Sequence, residues 1–381
     1  MIRNEAALDE MLQTMTRFVS ERLVPNEERV DREGVIPEDI VAEMRSLGLG
    51  GLSLPEAYGG VGLTVEEKIR VAIAVGWTSP AYYRRLSTND GAGFALVAAG
   101  TEAQKREWLS RLASGAVTGS FAMTEPGAGS DAASIRTSAR RDGDSYVLNG
   151  TKRFITNAPY ADLFLVTART DPSKAGAKGI STFLVEADRP GLSRTRADRK
   201  MGLHGNDTGD VILDDCRIPA ANLVGEEGEG FRIVMKRLDI VRVEAAAVAV
   251  GNAERLIDES LRYAAGRVQF GRPIADYQLI QAMLADCRAE AYAARSMVID
   301  AARRLDDGRV ASTEAACCKL FATEMVGRVA DRAVQIQGGS GYMRGTCVER
   351  FYRDVRVYRI YDGTNQIQQL LIARNMLREA G

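Results

Sequence analysis

The sequence contains a single histidine, His204, and that scarcity excludes a good deal. One imidazole cannot build a histidine metal cluster, and it removes most triad and metal chemistry. The five cysteines are Cys216, Cys287, Cys317, Cys318 and Cys347; their number is odd and no C-x-x-C spacing occurs. Neither a disulfide framework nor a zinc site is favoured, and a reducing, cytoplasmic setting fits. No charge excess exists either, with 50 basic against 51 acidic side chains and a net charge of -1. Nucleic acid and anionic membranes are therefore not expected as partners. No stretch approaches the roughly 20 apolar residues that span a bilayer. The opening "MIRNEAALDEML" is charged throughout, so neither a signal peptide nor an anchor is expected.

What is present is an ordinary globular composition, 45% hydrophobic and 27% charged over 381 residues, enough for two or three lobes. Residues 1–116 read as helices. Leu8, Met11, Leu12, Met15, Phe18 and Val19 recur at helical spacing, and "PEDIVAEMRSLGLGG" starts with acids and stops in glycines. Over 117–226 the texture changes to short β-rich runs such as "SYVLNGTKRFIT", "DLFLVTART" and "GISTFLVEA". These predict an antiparallel barrel or sandwich. Over 227–381 long amphipathic Ala- and Arg-rich segments return and predict a helical bundle. Strands do not alternate with helices, which argues against a Rossmann unit, and "GVGLTVEE" lacks the preceding strand of a dinucleotide fingerprint.

Four motifs stand out. "FAMTEPGAGSDAAS" offers backbone N–H groups and hydroxyls at the mouth of the β lobe, and taken singly it is also an ordinary Gly/Pro loop. "NGTKRFITNA" ends a strand with Phe154 as a plate and Thr156 as a hydroxyl, or is simply a half-buried strand. "GRVQFGRPIADYQLIQ" sets Arg267 in a break between helices, suited to a pyrophosphate or merely exposed at a helix end. "QIQGGSGYM" carries Gly338 and Gly339, which permit close backbone approach or cap a helix. Near the C-terminus "YRIYDGTNQIQQL" isolates one acid, Asp362, between an aromatic residue and a glycine.

In this order and on this layout the motifs "MTEPGAGSD", "NGTKRFITNA", "RVQFGRPIADYQ", "QIQGGSGYM" and "RIYDGTNQIQ" resemble the acyl-CoA dehydrogenase family over nearly the whole chain. The resemblance implies an N-terminal helical domain, a middle β domain and a C-terminal four-helix bundle. It also implies FAD, an acyl-CoA substrate, an electron-transfer flavoprotein as acceptor and assembly as a homotetramer. Members remove a proton from Cα and a hydride from Cβ of the thioester, and the flavin carries the redox step. Carried over residue by residue, Phe121, Met123, Thr124 and Ser130 line the flavin, and Phe154, Ile155 and Thr156 pack on its face. Arg267, Gln278 and Gln335 to Gly339 reach the cofactor from a neighbouring subunit, and Thr364 and Gln366 touch it after the acid. Ser130 and the segment Asp239 to Arg242 match the CoA contacts, and Gly363 lets the thioester lie against the backbone.

Asp362 takes the place of the general base in this resemblance, and its backbone N–H that of an oxyanion donor, a contribution of roughly 3–4 kcal/mol in comparable sites. Burial beside an acyl chain is expected to suit such a base. The family acid is Glu, and Asp is one methylene shorter, about 1.5 Å, when a misplacement of about 1 Å can cost about 100-fold. Three explanations stay open: a shifted backbone or bulkier substrate, a moved base, or altered chemistry such as desulfination or elimination. For a moved base, some relatives use an acid at the position of Val241, which cannot serve here. Glu244, on the same helical face, is one candidate, or else a partner of Arg237 or Arg242. Asp90 in "RRLSTNDGAG" is another. Arg85, beside Arg84, is a candidate for binding a distal acid group of the substrate, or a solvated arginine. A flavin-binding relative without activity is the remaining alternative. Cys317, Cys318 and His204 are given no role.

Overall fold

A computed structural model gives the fold and describes residues 2–380. The N-terminal helices are α1 (Glu5–Phe18), α2 (Glu27–Glu33), α3 (Glu38–Ser46), α4 (Val65–Val75), α5 (Pro80–Ala99) and α6 (Glu102–Ala113). Local chemistry sets their ends. Thr64 and Glu67 form a reciprocal capping box for α4, Thr101 and Gln104 do so for α6, and Ser79 followed by Pro80 opens α5.

The middle domain holds β1 (Gly119–Ala122), β2 (Ser138–Asp142), β3 (Ser145–Thr156), β4 (Leu163–Arg169), β5 (Ile180–Glu186), β6 (Leu192–Arg194), β7 (Thr208–Pro219) and β8 (Leu223–Val224). Their order in the sheet is β6-β7-β3-β2-β4-β5-β8, with β1 laid against β4. Most pairings are antiparallel as expected, but β1 and β2 both run parallel to β4. The ladder between β3 and β7 slips between Lys152 and Ile155, and Phe154 there takes φ 58°. This irregularity turns Phe154 outward while Lys152 and Ile155 stay buried.

The C-terminal domain is built from α7 (Gly230–Gly266), α8 (Gln278–Asp306), α9 (Ser312–Gln337), α10 (Gly339–Tyr342), α11 (Cys347–Asp354) and α12 (Asn365–Ala380). A small hairpin of β9 (Val268–Gln269) and β10 (Arg272–Pro273) joins α7 to α8. Small residues let the long helices close on one another: Ala245 to Ala249 of α7 are buried, as are Ala322 and Ala330 of α9.

The helical lobes at the two ends of the chain are not separate bodies. Ile69, Val71, Ala72 and Ile73 of α4 share one core with Val243, Ala246 and Val250 of α7 and Val326 and Val329 of α9. The contact is close enough that a Cβ at Gly251 would lie 2.3 Å from the Ile73 carbonyl oxygen and 2.8 Å from the Gly76 Cα. The amide of Asn252 donates to the carbonyls of Gly76 and Thr78, and the Tyr358 hydroxyl donates to Asn252. The β domain keeps its own core around Phe164, Phe183 and Leu213. A further cluster, with Ala92, Leu96, Leu112, Leu163 and Leu165, seats that domain on α5 and α6.

Candidate active site

The acid turn is the most constrained point of the C-terminal domain. A 3-10 turn over Val355–Arg359 leads into Tyr361, Asp362 and Gly363, and α12 begins at Asn365. Asp362 takes φ 54° and Gly363 φ 85°, so the pair makes a left-handed corner that a bulky residue would resist. Side chains hold it from below. The buried Lys319 ammonium donates to the Gly363 carbonyl at 2.9 Å and to Asn365 Oδ1 at 2.8 Å. Gln368 Nε2 donates to the same carbonyl at 2.9 Å, and Asn365 Nδ2 donates to Glu324. Burial lowers the Lys319 pKa to about 8, against the opposing pull of the Asp362 carboxylate.

The corner leaves two groups presented. The backbone N–H of Asp362 has no hydrogen-bond partner among the described residues. The carboxylate accepts from Arg84 Nη2 at 2.9 Å, and both side chains are about one-fifth exposed (21% and 20%). The Arg84 guanidinium lies 4.2 Å from the ring centroid of Tyr361, which in turn stacks on Tyr358. The Asp362 charge holds the Arg84 pKa above its ordinary value, outweighing burial.

The second part of the site is a shelf on the β domain. The backbone N–H of Arg153 donates to the Thr124 carbonyl at 2.7 Å, joining the loop after β1 to β3. Lys152 Nζ, fully buried, donates to the Met123 carbonyl at 3.1 Å and to Glu125 Oε1 at 2.8 Å. Glu125 also accepts the N–H groups of Arg136 and Thr137. Burial lowers the Lys152 pKa to about 8 in spite of Glu125. Phe154 stands on this shelf 59% exposed, while Ile155 is buried and the Thr156 carbonyl accepts from Ser120 Oγ. Ser130 is exposed, and beside it Gly127 and Gly129 face open space. An exposed aromatic plate beside free glycine backbone fits a flat, phosphate-bearing cofactor.

Helix α5 joins the two parts. Asn157, just past β3, donates to the Arg85 carbonyl and to Thr88 Oγ1, while Arg84 reaches Asp362. One helix therefore holds the shelf on one side and the acid on the other.

The remaining sequence candidates fall as follows. Arg85 turns away from the acid and stacks on Tyr160 at 4.3 Å, so Arg84 is the arginine in the cleft. Asp90 and Glu244 are both buried on Lys68, Asp90 at 2.6 Å, and Asp90 also accepts from Ser53. Glu244 is thus the partner of Lys68 and not of Arg237 or Arg242; its neighbour Val241 is apolar and buried. Burial opposes the Lys68 charge, but the two carboxylates more than offset it and raise its pKa. Arg242 is buried and pairs with Asp239 at 2.7 Å. Thr364 Oγ1 accepts from the Ile367 N–H at the start of α12, and Gln366 is exposed. Arg267, Gln278, Gln335, Gly338 and Gly339 are exposed far along the bundle, and Gly338 caps α9 with φ 58°. His204 bonds Asp31, which Arg353 also holds, a link between lobes. Lys319, Gln368, Lys152 and Arg84 carry the geometry, and the motif reading did not name them as doing so. Lys152, Gln368 and Arg84 lay inside quoted stretches, yet none was given this part.

Profiles of the acyl-CoA dehydrogenase N-terminal, middle and C-terminal domains match residues 5–116, 120–216 and 228–377. The chain belongs to the acyl-CoA dehydrogenase family. It is 45% identical to "Probable acyl-CoA dehydrogenase YngJ" of Bacillus subtilis, over 97% of this chain and 98% of that protein. It is 39% identical to the caffeyl-CoA reductase-Etf complex subunit CarC of Acetobacterium woodii, over 97% and 98%. The butyryl-CoA dehydrogenase structure from Megasphaera elsdenii superposes with TM-score 0.95 at 36% identity, covering 99% of this chain and 100% of that one. An acyl-CoA dehydrogenase is an FAD-dependent oxidoreductase, and the shelf fits that cofactor. Among the described residues no group of His, Cys, Asp and Glu could hold a metal, and no helix is long and apolar enough to cross a membrane.

Proposed function

We propose that Asp362 is the base of this acyl-CoA dehydrogenase and removes the α-proton of a saturated acyl-CoA. The observation that carries the reading is the corner itself: a carboxylate and an unpaired N–H from one residue, tied through α5 to the flavin shelf. The N–H receives the thioester oxygen and stabilises the charge that builds there as the proton leaves. The carboxylate takes the proton, and the left-handed corner at Gly363 lets the thioester approach the backbone. When bound, FAD would supply the acceptor for the β-hydride. Phe121, Met123, Thr124, Ser130, Phe154, Ile155 and Thr156 would hold the ring, and Thr364 and Gln366 would also touch the cofactor. Asp239 and Arg242 are assigned to CoA together with Ser130. Asp90 and Glu244 are spent on Lys68 and leave Asp362 as the accessible acid.

Electron-transfer flavoprotein is the acceptor in this reading, supported by the relative whose name places it in an Etf complex. A homotetramer is supported by bare apolar side chains on the C-terminal lobe, among them Phe270, Leu279, Tyr342 and Leu377. In such an assembly Arg267, Gln278, Gln335, Gly338 and Gly339 would serve a neighbour's cofactor. Five free thiols suit the cytoplasm, and the reaction belongs to acyl-CoA degradation.

The test is anaerobic mixing of the FAD-loaded protein with a panel of acyl-CoAs while the visible flavin absorbance is followed. Bleaching is expected with at least one saturated acyl-CoA, slowed about 10²–10⁴-fold in Asp362→Asn. Full-speed bleaching in that variant moves the base elsewhere. No bleaching with any member overturns the oxidation.

A further inference from the structure

Beyond Arg84, a second arginine meets α5 from the C-terminal domain. On α5, Arg84, Ser87 and Gly91 lie three and seven residues apart and share a face. A Cβ at position 91 would come within 2.5 Å of Arg237 Nη1 and 3.1 Å of its Cζ, so the guanidinium from α7 lies against the bare glycine backbone of α5. Among the described residues Arg237 has no ion pair: Glu244 is held by Lys68 and Asp239 by Arg242. Tyr83, on the same helix, is 5% exposed and its hydroxyl has no hydrogen-bond partner. Burial raises its pKa well above the usual value, and the charges of Glu244, Asp90, Arg237 and Arg84 all reach it. Buried polar groups left unpaired cost free energy until something with acceptor oxygens meets them.

We propose that Arg237 and Tyr83 receive a carboxylate at the distal end of the acyl chain, which makes ω-carboxyacyl-CoAs the preferred substrates. This rests on the acyl-CoA dehydrogenase reading above. Arg84 and Gly91 are seven residues apart on α5, about 10 Å along the axis. The carboxylate therefore sits on the order of 10 Å from the proton that Asp362 removes, too far for a succinyl chain and within reach of longer diacids.

The experiment compares ω-carboxyacyl-CoAs of increasing length with straight-chain acyl-CoAs of matched length, using the FAD-loaded protein, Arg237→Gln and Arg237→Lys. Flavin bleaching gives kcat/KM. Titration calorimetry with the matching CoA thioethers, which cannot be oxidised, gives affinity. The wild type is expected to favour a carboxylated chain on the order of tenfold or more at one length. Arg237→Gln loses that preference, Arg237→Lys keeps part of it, and neutral chains are unaffected. Equal use and equal binding of charged and neutral chains at every length overturns the proposal, as does an Arg237→Gln variant that weakens both alike. If no thioester bleaches the flavin, the oxidation reading fails, while the thioether affinities still decide the role of Arg237.

Discussion

Arg84 and Asp362 lie 278 residues apart in the chain and 2.9 Å apart in space. The arginine comes from the long helix that also braces the β domain, and it is steadied on the Tyr361 ring. A short acid has less reach than a long one, and here a rigid partner fixes where its oxygens lie.

If Asp362 is the base as proposed, Arg84 acts as its positioning residue. Arg84→Gln frees the carboxylate to rotate, and the bleaching rate with a neutral acyl-CoA is expected to fall about ten- to a hundredfold. Arg84→Lys should restore part of the rate, and thioether affinity should stay within a few-fold. A loss of binding equal to the loss of rate would assign Arg84 to general architecture instead.

Lys319 makes a prediction with a sign. Its folded pKa of about 8 lies below its ordinary value of 10.5, so between those limits the unfolded chain holds the proton that the folded one has released. Stability contributed by Lys319 therefore rises with pH across that window. In urea titrations, Lys319→Met should cost more at pH 9.5 than at pH 8, by about 1–2 kcal/mol. A cost that shrinks or stays level over this range contradicts the assignment.

Lys152 supports, from inside, the shelf proposed to hold the flavin. Lys152→Met leaves the Glu125 carboxylate buried without its cation, a change that costs about 3–5 kcal/mol in comparable pairs. The loop from Met123 to Ser130 should loosen, and the protein should emerge from gel filtration with less bound FAD. The double variant Lys152→Met with Glu125→Gln should recover part of the cofactor, because no orphan charge remains. Undiminished FAD in the single variant would separate this pair from the cofactor.

Much of the layout was readable in advance because it depends on short-range signals. Helical periodicity, the acids and glycines that bound "PEDIVAEMRSLGLGG", and the β-rich runs after Val117 are each written within a few residues. The acid turn was readable for the same reason. What escaped were relations set by tertiary packing: Lys319 under Gly363, Lys68 between Asp90 and Glu244, and the choice of Arg84 over Arg85. Neighbouring arginines look alike in a string, and only the phase of α5 decides which faces the acid. The parallel pairing of β1 and β2 with β4 escaped likewise, since alternation does not encode strand direction.

The close meeting of Gly76 with Gly251 has a bearing on biosynthesis. Helix α4 is made early, yet the surface it must cover belongs to α7, well over a hundred residues downstream. A growing polypeptide therefore carries the oily side of α4 uncovered while the whole β domain is being translated. Pairings this distant in sequence close late, and the waiting nascent segment is a natural client for chaperones.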